Sequence, residues 1–267
     1  MVVFASSACA ALLFGWGVSH AAGIAISQKE SSTSAPSMLA SWQSRFEGRA
    51  FRTRSGLILP YRVAQPPADS ARPLVLVLHG SGAMGRDNKA QIGPFASAWA
   101  QLLEDGPDAP IVVVPQVAQR SADYVICDGS PCRSKPGPSL GGLLELLDGL
   151  VASRAIDRNR VYVVGFSMGA SAALQLALAR PGVVSRMVLF APVPPPKSRI
   201  HGLTSSRMLV VHGDRDTENP FFAMREWITL LNRAGGHVEM SVRHGMGHQI
   251  PNDMLTDVGW RKQLLSE

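Results

Sequence analysis

One serine, two aspartates and two histidines stand in this chain where acyl-transfer chemistry would need them. Ser167 lies in Gly165-Phe166-Ser167-Met168-Gly169, after the apolar run Val161-Tyr162-Val163-Val164 and before a small-residue run. A chain that reverses from strand to helix within these residues forces a strained backbone at the serine. Glycines flank it because side chains there would collide across the turn. The reversal lifts the Ser167 hydroxyl clear of a sheet edge. It also aims the N–H of Met168, at a helix start, toward any oxyanion formed there. Asp214 and Asp216 follow another apolar run, Met208-Leu209-Val210-Val211, and His244 and His248 follow Val238 to Val242. A serine hydroxyl is a poor nucleophile until a base takes its proton. The imidazole that does so needs a carboxylate to fix its tautomer and stabilise its charge. This order of serine, acid and histidine supplies all three, with two candidates each for acid and base.

The Gly-x-Ser-x-Gly pattern alone does not select Ser167. Gly137-Pro138-Ser139-Leu140-Gly141 matches it too, but follows Arg133-Ser134-Lys135-Pro136, which cannot be a buried strand. That copy reads as a loop leading into a helix, so context selects Ser167.

The elements that must position these residues are legible as apolar runs. Pro73 to His79, Ile111 to Val114, Val161 to Val164, Met187 to Phe190 and Met208 to Val211 lack polar alternation. Such runs indicate strands buried on both faces, as in a parallel sheet. Val238 to Val242 alternates more and reads as a last strand. Gly48 to Arg54 and Leu57 to Val63, around a Ser55-Gly56 turn, read as a hairpin. Helical spacing appears at Phe95 to Leu103, Leu140 to Val151 and Ser167 to Arg180, and from Pro220 to Gly235. The alternation predicts an α/β fold with a doubly wound, mostly parallel central sheet flanked by helices. Ligands bind such sheets at the carboxyl ends of the strands, where all the candidate residues fall. No insertion is long enough for a large cap domain. Short loops, Ala83 to Phe95, Val117 to Pro138 and Pro192 to Gly202, must line the site.

Taken together, these motifs resemble the α/β-hydrolase superfamily. Within it, they are most similar to small cap-less serine esterases of the phospholipase/carboxylesterase and dienelactone-hydrolase type. Leu78-His79-Gly80-Ser81-Gly82 looks like their oxyanion loop. Residues 156–169 match their elbow and its approach. His212-Gly213-x-x-Asp216-x-x-Asn219-Pro220 is similar to their acid-bearing H-G-x-x-D-x-x-V-P, and Gly247-His248 to their C-terminal G-H. The resemblance implies Ser167 as nucleophile, Asp216 rather than Asp214 as acid, and His248 rather than His244 as base. It also implies that Ser81 joins Met168 in donating backbone N–H groups to an oxyanion. His79 and His212 then read as structural, and His201 and His237 as surface residues. The implied mechanism needs no cofactor. Asp214-Arg215-Asp216 superficially suggests a metal pair, but no further ligand cluster supports a metal.

The chain has 267 residues, 46% hydrophobic and 17% charged, enough for one sizeable core. Its net charge of +6 comes mostly from scattered arginines. No basic block interleaved with aromatics suggests a nucleic-acid partner. Val2 to Ile26 contains no Lys, Arg, Asp or Glu, and Ala11 to Val18 is an apolar core before the small-x-small site Ser19-His20-Ala21. Residues 1–22 therefore read as a signal peptide. The segment lacks the positive start of such leaders, so an uncleaved N-terminal anchor is the other reading. Residues 23–41 read as a flexible linker and 42–267 as the folded domain. Export to the periplasm or outside the cell makes a disulfide the expected state of Cys127 and Cys132, against two free thiols. The expected partner is a small-molecule ester, with no membrane span after signal cleavage. The same triad would serve a serine peptidase or a thioesterase, and a catalytically inactive binding protein on this scaffold is the alternative of a different class.

Overall fold

The computed structural model describes residues 41–67 and 70–266. The expected signal peptide, and the linker except Ser41, lie outside the described residues. Among the described residues there are ten strands: β1 (Glu47–Arg52), β2 (Ile58–Ala64), β3 (Arg72–Leu78), β4 (Ile111–Pro115), β5 (Ala122–Cys127), β6 (Ser130–Pro136), β7 (Ile156–Phe166), β8 (Arg186–Phe190), β9 (Arg207–Gly213) and β10 (His237–Arg243). The helices are α1 (Pro94–Ala100), α2 (Leu140–Ala152), α3 (Met168–Ala179), α4 (Phe221–Arg233), α5 (Asn252–Thr256) and α6 (Gly259–Ser266).

Eight strands form one sheet in the order β1-β2-β4-β3-β7-β8-β9-β10. The hairpin β1-β2 joins it antiparallel, and the six strands from β4 to β10 run parallel. This is the doubly wound, mostly parallel sheet that the apolar runs predict. In β3, Leu74, Leu76 and Leu78 enter one hydrophobic core with residues of α2, α3 and α4. Val75 and Val77 enter a second core with residues of α1. Alternate side chains feeding two cores are why the run reads as apolar throughout.

Chain order reverses direction between β3 and β7, so the crevice at their carboxyl ends is a topological switch point. Leu78 pairs with Gly165, and Phe166 with Phe190, so the ends of β3, β7 and β8 are level. Ser167 therefore emerges beside the loop that begins at His79.

The segment Val117 to Pro138, expected as a loop, holds the hairpin β5-β6, a separate two-stranded sheet. Arg133-Ser134-Lys135-Pro136 is thus strand, though not buried core strand. It pairs only with β5, so it needs no apolar face on both sides. A disulfide joins Cys127 to Cys132 at its tip. Ser134 anchors the hairpin: its N–H donates to Pro194 O at 2.7 Å, and its Oγ accepts from Gln175 Nε2 of α3 at 3.0 Å.

The two Gly-x-Ser-x-Gly matches differ in what surrounds their last glycine. A Cβ on Gly169 would stand 2.2 Å from Leu78 O, whereas one on Gly141 meets nothing within 4 Å. Gly169→Ala should therefore destabilise the protein by about 1–3 kcal/mol or more through forced backbone displacement. Gly141→Ala, early in α2, should be neutral or stabilising by up to about 1 kcal/mol. Thermal or denaturant unfolding of the two variants checks this, and equal midpoints would contradict it.

Candidate active site

Ser167 has φ 55° and ψ −117°, outside the regions a serine prefers. Such a conformation costs about 1–3 kcal/mol and persists only when its surroundings enforce it. They do so here. The Ser167 N–H donates to Phe190 O at 2.8 Å, and its C=O accepts from Ser171 N at 3.0 Å and from Ser171 Oγ at 3.1 Å. Ser171 Oγ also accepts from Val193 N at 2.9 Å, fastening the loop after β8 to the turn. Any Cβ on Gly165 would fall 2.5 Å from Ala170 N and from Gly169 O. No other residue fits that crossing of strand and helix.

His248 reaches this serine from the loop after β10. Its Nε2 lies 2.8 Å from Ser167 Oγ, and its Nδ1 lies 2.8 Å from Asp216 Oδ2. Burial raises the Asp216 carboxyl, but hydrogen bonds from His212, His248 and the Asn219 N–H outweigh it and hold the group well below the usual carboxylate range. The carboxylate only accepts, so His248 Nδ1 carries a proton and the tautomer this selects turns Nε2 to the serine hydroxyl as acceptor. The imidazole rests on Phe166, ring centroids 5.0 Å apart at 34°.

Asp216 is held by more than its histidine. Its Oδ1 accepts from the N–H groups of Glu218 and Asn219, each at 2.9 Å. His212 Nε2, fully buried, lies 2.9 Å from Asn219 O and 3.3 Å from Asp216 Oδ2. Both neighbours are acceptors, so this nitrogen donates. Asn219 Nδ2 in turn donates to Ala191 O at 2.7 Å, joining the acid loop to the end of β8.

The competing candidates form a pair of their own. His244 Nδ1 lies 2.8 Å from Asp214 Oδ2, and Asp214 Oδ1 accepts from Gly245 N at 2.7 Å. The His244 side chain is 86% exposed, against 9% for His248. The structure brings Ser167, Asp216 and His248 together and pairs His244 with Asp214 instead.

The loop after β3 lies against the elbow. A Cβ on Gly80 would stand 3.0 Å from the Phe166 ring, and the close approach of Gly169 to Leu78 O and His79 O brings this loop against the first turn of α3. Ser81 opens a short 3-10 turn to Ala83, and Met168, fully buried, is the first residue of α3. His79 holds the loop from below. Its Nε2 accepts from Val117 N at 3.1 Å, so Nδ1 carries the proton and donates to Gly80 O at 2.7 Å. Gln116, 1% exposed, fastens the residues beyond. Its Nε2 donates to Ala83 O and Asp87 Oδ1, and its Oε1 accepts from Asn88 N.

Two residues at the site carried no motif signal. Glu218 occupies an unspecified position of the acid motif, yet its Oε2 lies 3.7 Å from His248 Nε2. Ser171 lies within the helical run and reads as filler, though it braces the elbow. Residue type alone marks neither; the turn after Asp216 and the helix-start geometry do.

The model of a family described as Phospholipase/Carboxylesterase matches residues 139–260. The chain is 28% identical over 158 residues to the putative esterase NocK of Nocardia uniformis subsp. tsuyamanensis, covering 58% of this chain and 43% of that protein. The chain thus spans less than half the length of that relative. It is 26% identical over 204 residues to esterase YpfH of Escherichia coli, covering 71% of this chain and 82% of that one. Among solved structures, a thermostable esterase superposes with TM-score 0.66 at 24% identity, over 75% of this chain and 55% of that chain. At that identity the likeness is one of fold.

His248→Ala should lower kcat of any Ser167-dependent hydrolysis by about 10³-fold or more, and His244→Ala by less than about threefold. Equal losses would contradict the geometry. Burial holds His79 below the ordinary histidine pKa of 6.5, against a smaller opposing effect of the Gly80 hydrogen bond. Stability that depends on the neutral ring is complete above about pH 6.5 and is lost as pH falls through the lowered folded value. The melting temperatures of wild type and His79→Gln should differ most near pH 7–8 and converge as pH falls toward 5. A gap independent of pH would contradict this role.

Proposed function

We propose that this chain is an exported serine hydrolase of the α/β-hydrolase superfamily that cleaves carboxylic esters. The observation that carries the proposal is the continuous hydrogen-bonded line from Ser167 Oγ through His248 to Asp216, with 2.8 Å at each step. The similarity to proteins named as esterases supports the choice of carboxylic esters over other acyl compounds.

In this reading His248 Nε2 takes the Ser167 proton as the hydroxyl oxygen attacks the ester carbonyl. Asp216 stabilises the resulting imidazolium without itself taking the proton. The oxyanion of the tetrahedral intermediate accepts from the N–H of Met168, at the positive end of α3, and from that of Ser81. Collapse transfers the proton from His248 to the departing alcohol oxygen and leaves Ser167 acylated. Water, deprotonated by the same nitrogen, then hydrolyses the acyl-enzyme. Every step uses groups of the chain and water.

Export is supported by the apolar, uncharged N-terminal stretch and by the Cys127–Cys132 bond, which suits an oxidising compartment. Among the described residues no helix is long and apolar enough to cross a membrane.

Ser167→Ala should lower kcat for aryl esters about 10⁴–10⁶-fold with an unchanged fold. It should also abolish labelling by a fluorophosphonate probe. Retention of most esterase activity in this variant, or failure of the wild type to label, would remove the proposal.

A further inference from the structure

The neighbourhood of His248 Nε2 is asymmetric. Ser167 Oγ lies 2.8 Å away on one side, and Glu218 Oε2 lies 3.7 Å away on another. The Glu218 side chain is 71% exposed, so its carboxylate faces the solvent from which substrate arrives. Its backbone is fixed, because the Glu218 N–H donates to the buried Asp216 carboxylate. Its neighbours in the loop are committed elsewhere: the Asp214 carboxylate is taken by His244 and Gly245, and the Arg215 N–H donates to Met246 O.

We propose that Glu218 is a specificity-determining residue that favours esters carrying a positive charge on the alcohol side and disfavours those carrying a negative one there. The inference rests on the ester-hydrolase reading given above. The alcohol side follows from the chemistry of Nε2. The nitrogen that accepts the Ser167 proton must return it to the leaving oxygen, which therefore comes within hydrogen-bond reach of it, about 3 Å. A carboxylate 3.7 Å from the same nitrogen then faces the first few atoms of the alcohol. The oxyanion, by contrast, points to the first turn of α3, and the acyl chain extends from the carbonyl carbon attached to Ser167. A cationic group two or three bonds beyond the leaving oxygen lies within favourable range of Glu218, and an anionic group there is repelled.

The size of the effect is bounded by exposure. A solvent-screened charge pair changes relative rates by about 1.4- to 5-fold at moderate salt. Preference for a cation over an anion combines attraction and repulsion, giving about 2- to 25-fold. Added salt should shrink it, since the screening length falls to about 3 Å at 1 M.

The test uses three acetate esters of similar shape: acetylcholine, its neutral isostere 3,3-dimethylbutyl acetate, and the anionic 2-acetoxyethanesulfonate. Their intrinsic reactivities differ, so the readout is the change in each kcat/KM ratio between wild type and Glu218→Gln. Any general loss of rate in the variant cancels in these ratios. The cation-to-neutral and neutral-to-anion ratios should each fall by about 1.4- to 5-fold in Glu218→Gln. The change should be smaller when both proteins are assayed in 1 M NaCl. Asp214→Asn, which removes a carboxylate from the same loop away from Nε2, should leave both ratios as in wild type. Identical ratios in wild type and Glu218→Gln would overturn the inference while leaving the ester-hydrolase reading intact. Equal shifts in Asp214→Asn and Glu218→Gln would reduce it to a general charge effect and overturn it as well. Wild-type protein that hydrolyses none of the three, and does not label at Ser167, would remove the reading and the inference together.

Discussion

The site depends on one buried charge. The Asp216 carboxylate is wholly inaccessible at its side chain, a placement that costs several kcal/mol unless its oxygens are satisfied. They are satisfied from three directions: His248, His212, and the N–H groups of its own turn. Each partner is thereby fixed. His212 belongs to β9, His248 hangs from the loop after β10, and Asn219 ties the turn to the end of β8. The carboxylate that orients the imidazole therefore also sets the spacing of three strand ends. Removing it would leave His212 Nε2 with only Asn219 O, in a place where its Nδ1 already has no partner.

The strained turn at Ser167 stands against that frame. A serine at φ 55° relaxes unless both ends of the turn are pinned. One end is pinned by the Phe190 carbonyl and the other by Ser171. Ser171 also holds Val193, and the next residue, Pro194, accepts from Ser134 of the hairpin β5-β6. The hairpin is thus part of the same bracing, although it contributes nothing to the central sheet. Its second anchor, Gln175 on Ser134, reaches it from the helix that Ser167 begins.

Much of this was legible in the sequence because its physical causes are local. Strands buried on both faces must be apolar along most of their length, so β3, β4, β8 and β9 announce themselves. The elbow is legible because Gly165 and Gly169 are crowded by backbone rather than by side chains, which leaves no other residue possible there. The hairpin β5-β6 was not legible. Its strands pair only with each other and are held by a disulfide and by hydrogen bonds to distant residues, none of which leaves a periodic trace. The short helices α5 and α6 were equally silent. Their anchor is Arg261, fully buried and donating to Met254 O and Gln101 Oε1, and a charged residue in a short polar segment reads as surface. Glu218 was missed for a related reason. Its importance lies in where the turn after Asp216 carries it, and that turn is set by hydrogen bonds to a carboxylate rather than by its own side chain.

Asp214 with His244 and Asp216 with His248 are the same pair of residue types in two different settings. The same two residue types meet at the same 2.8 Å, at the ends of the same two strands, as Asp216 and His248 do. The difference is solvent. Water competes for both partners of the exposed pair and screens their attraction. At Asp216 the surroundings are polarised in advance by fixed donors, so a charge placed on His248 would meet an environment that need not rearrange. Residue identity and spacing permit either pair to act. Burial, which depends on Phe166, His212 and the hydrogen-bonded turn at Asn219, decides which one has the serine.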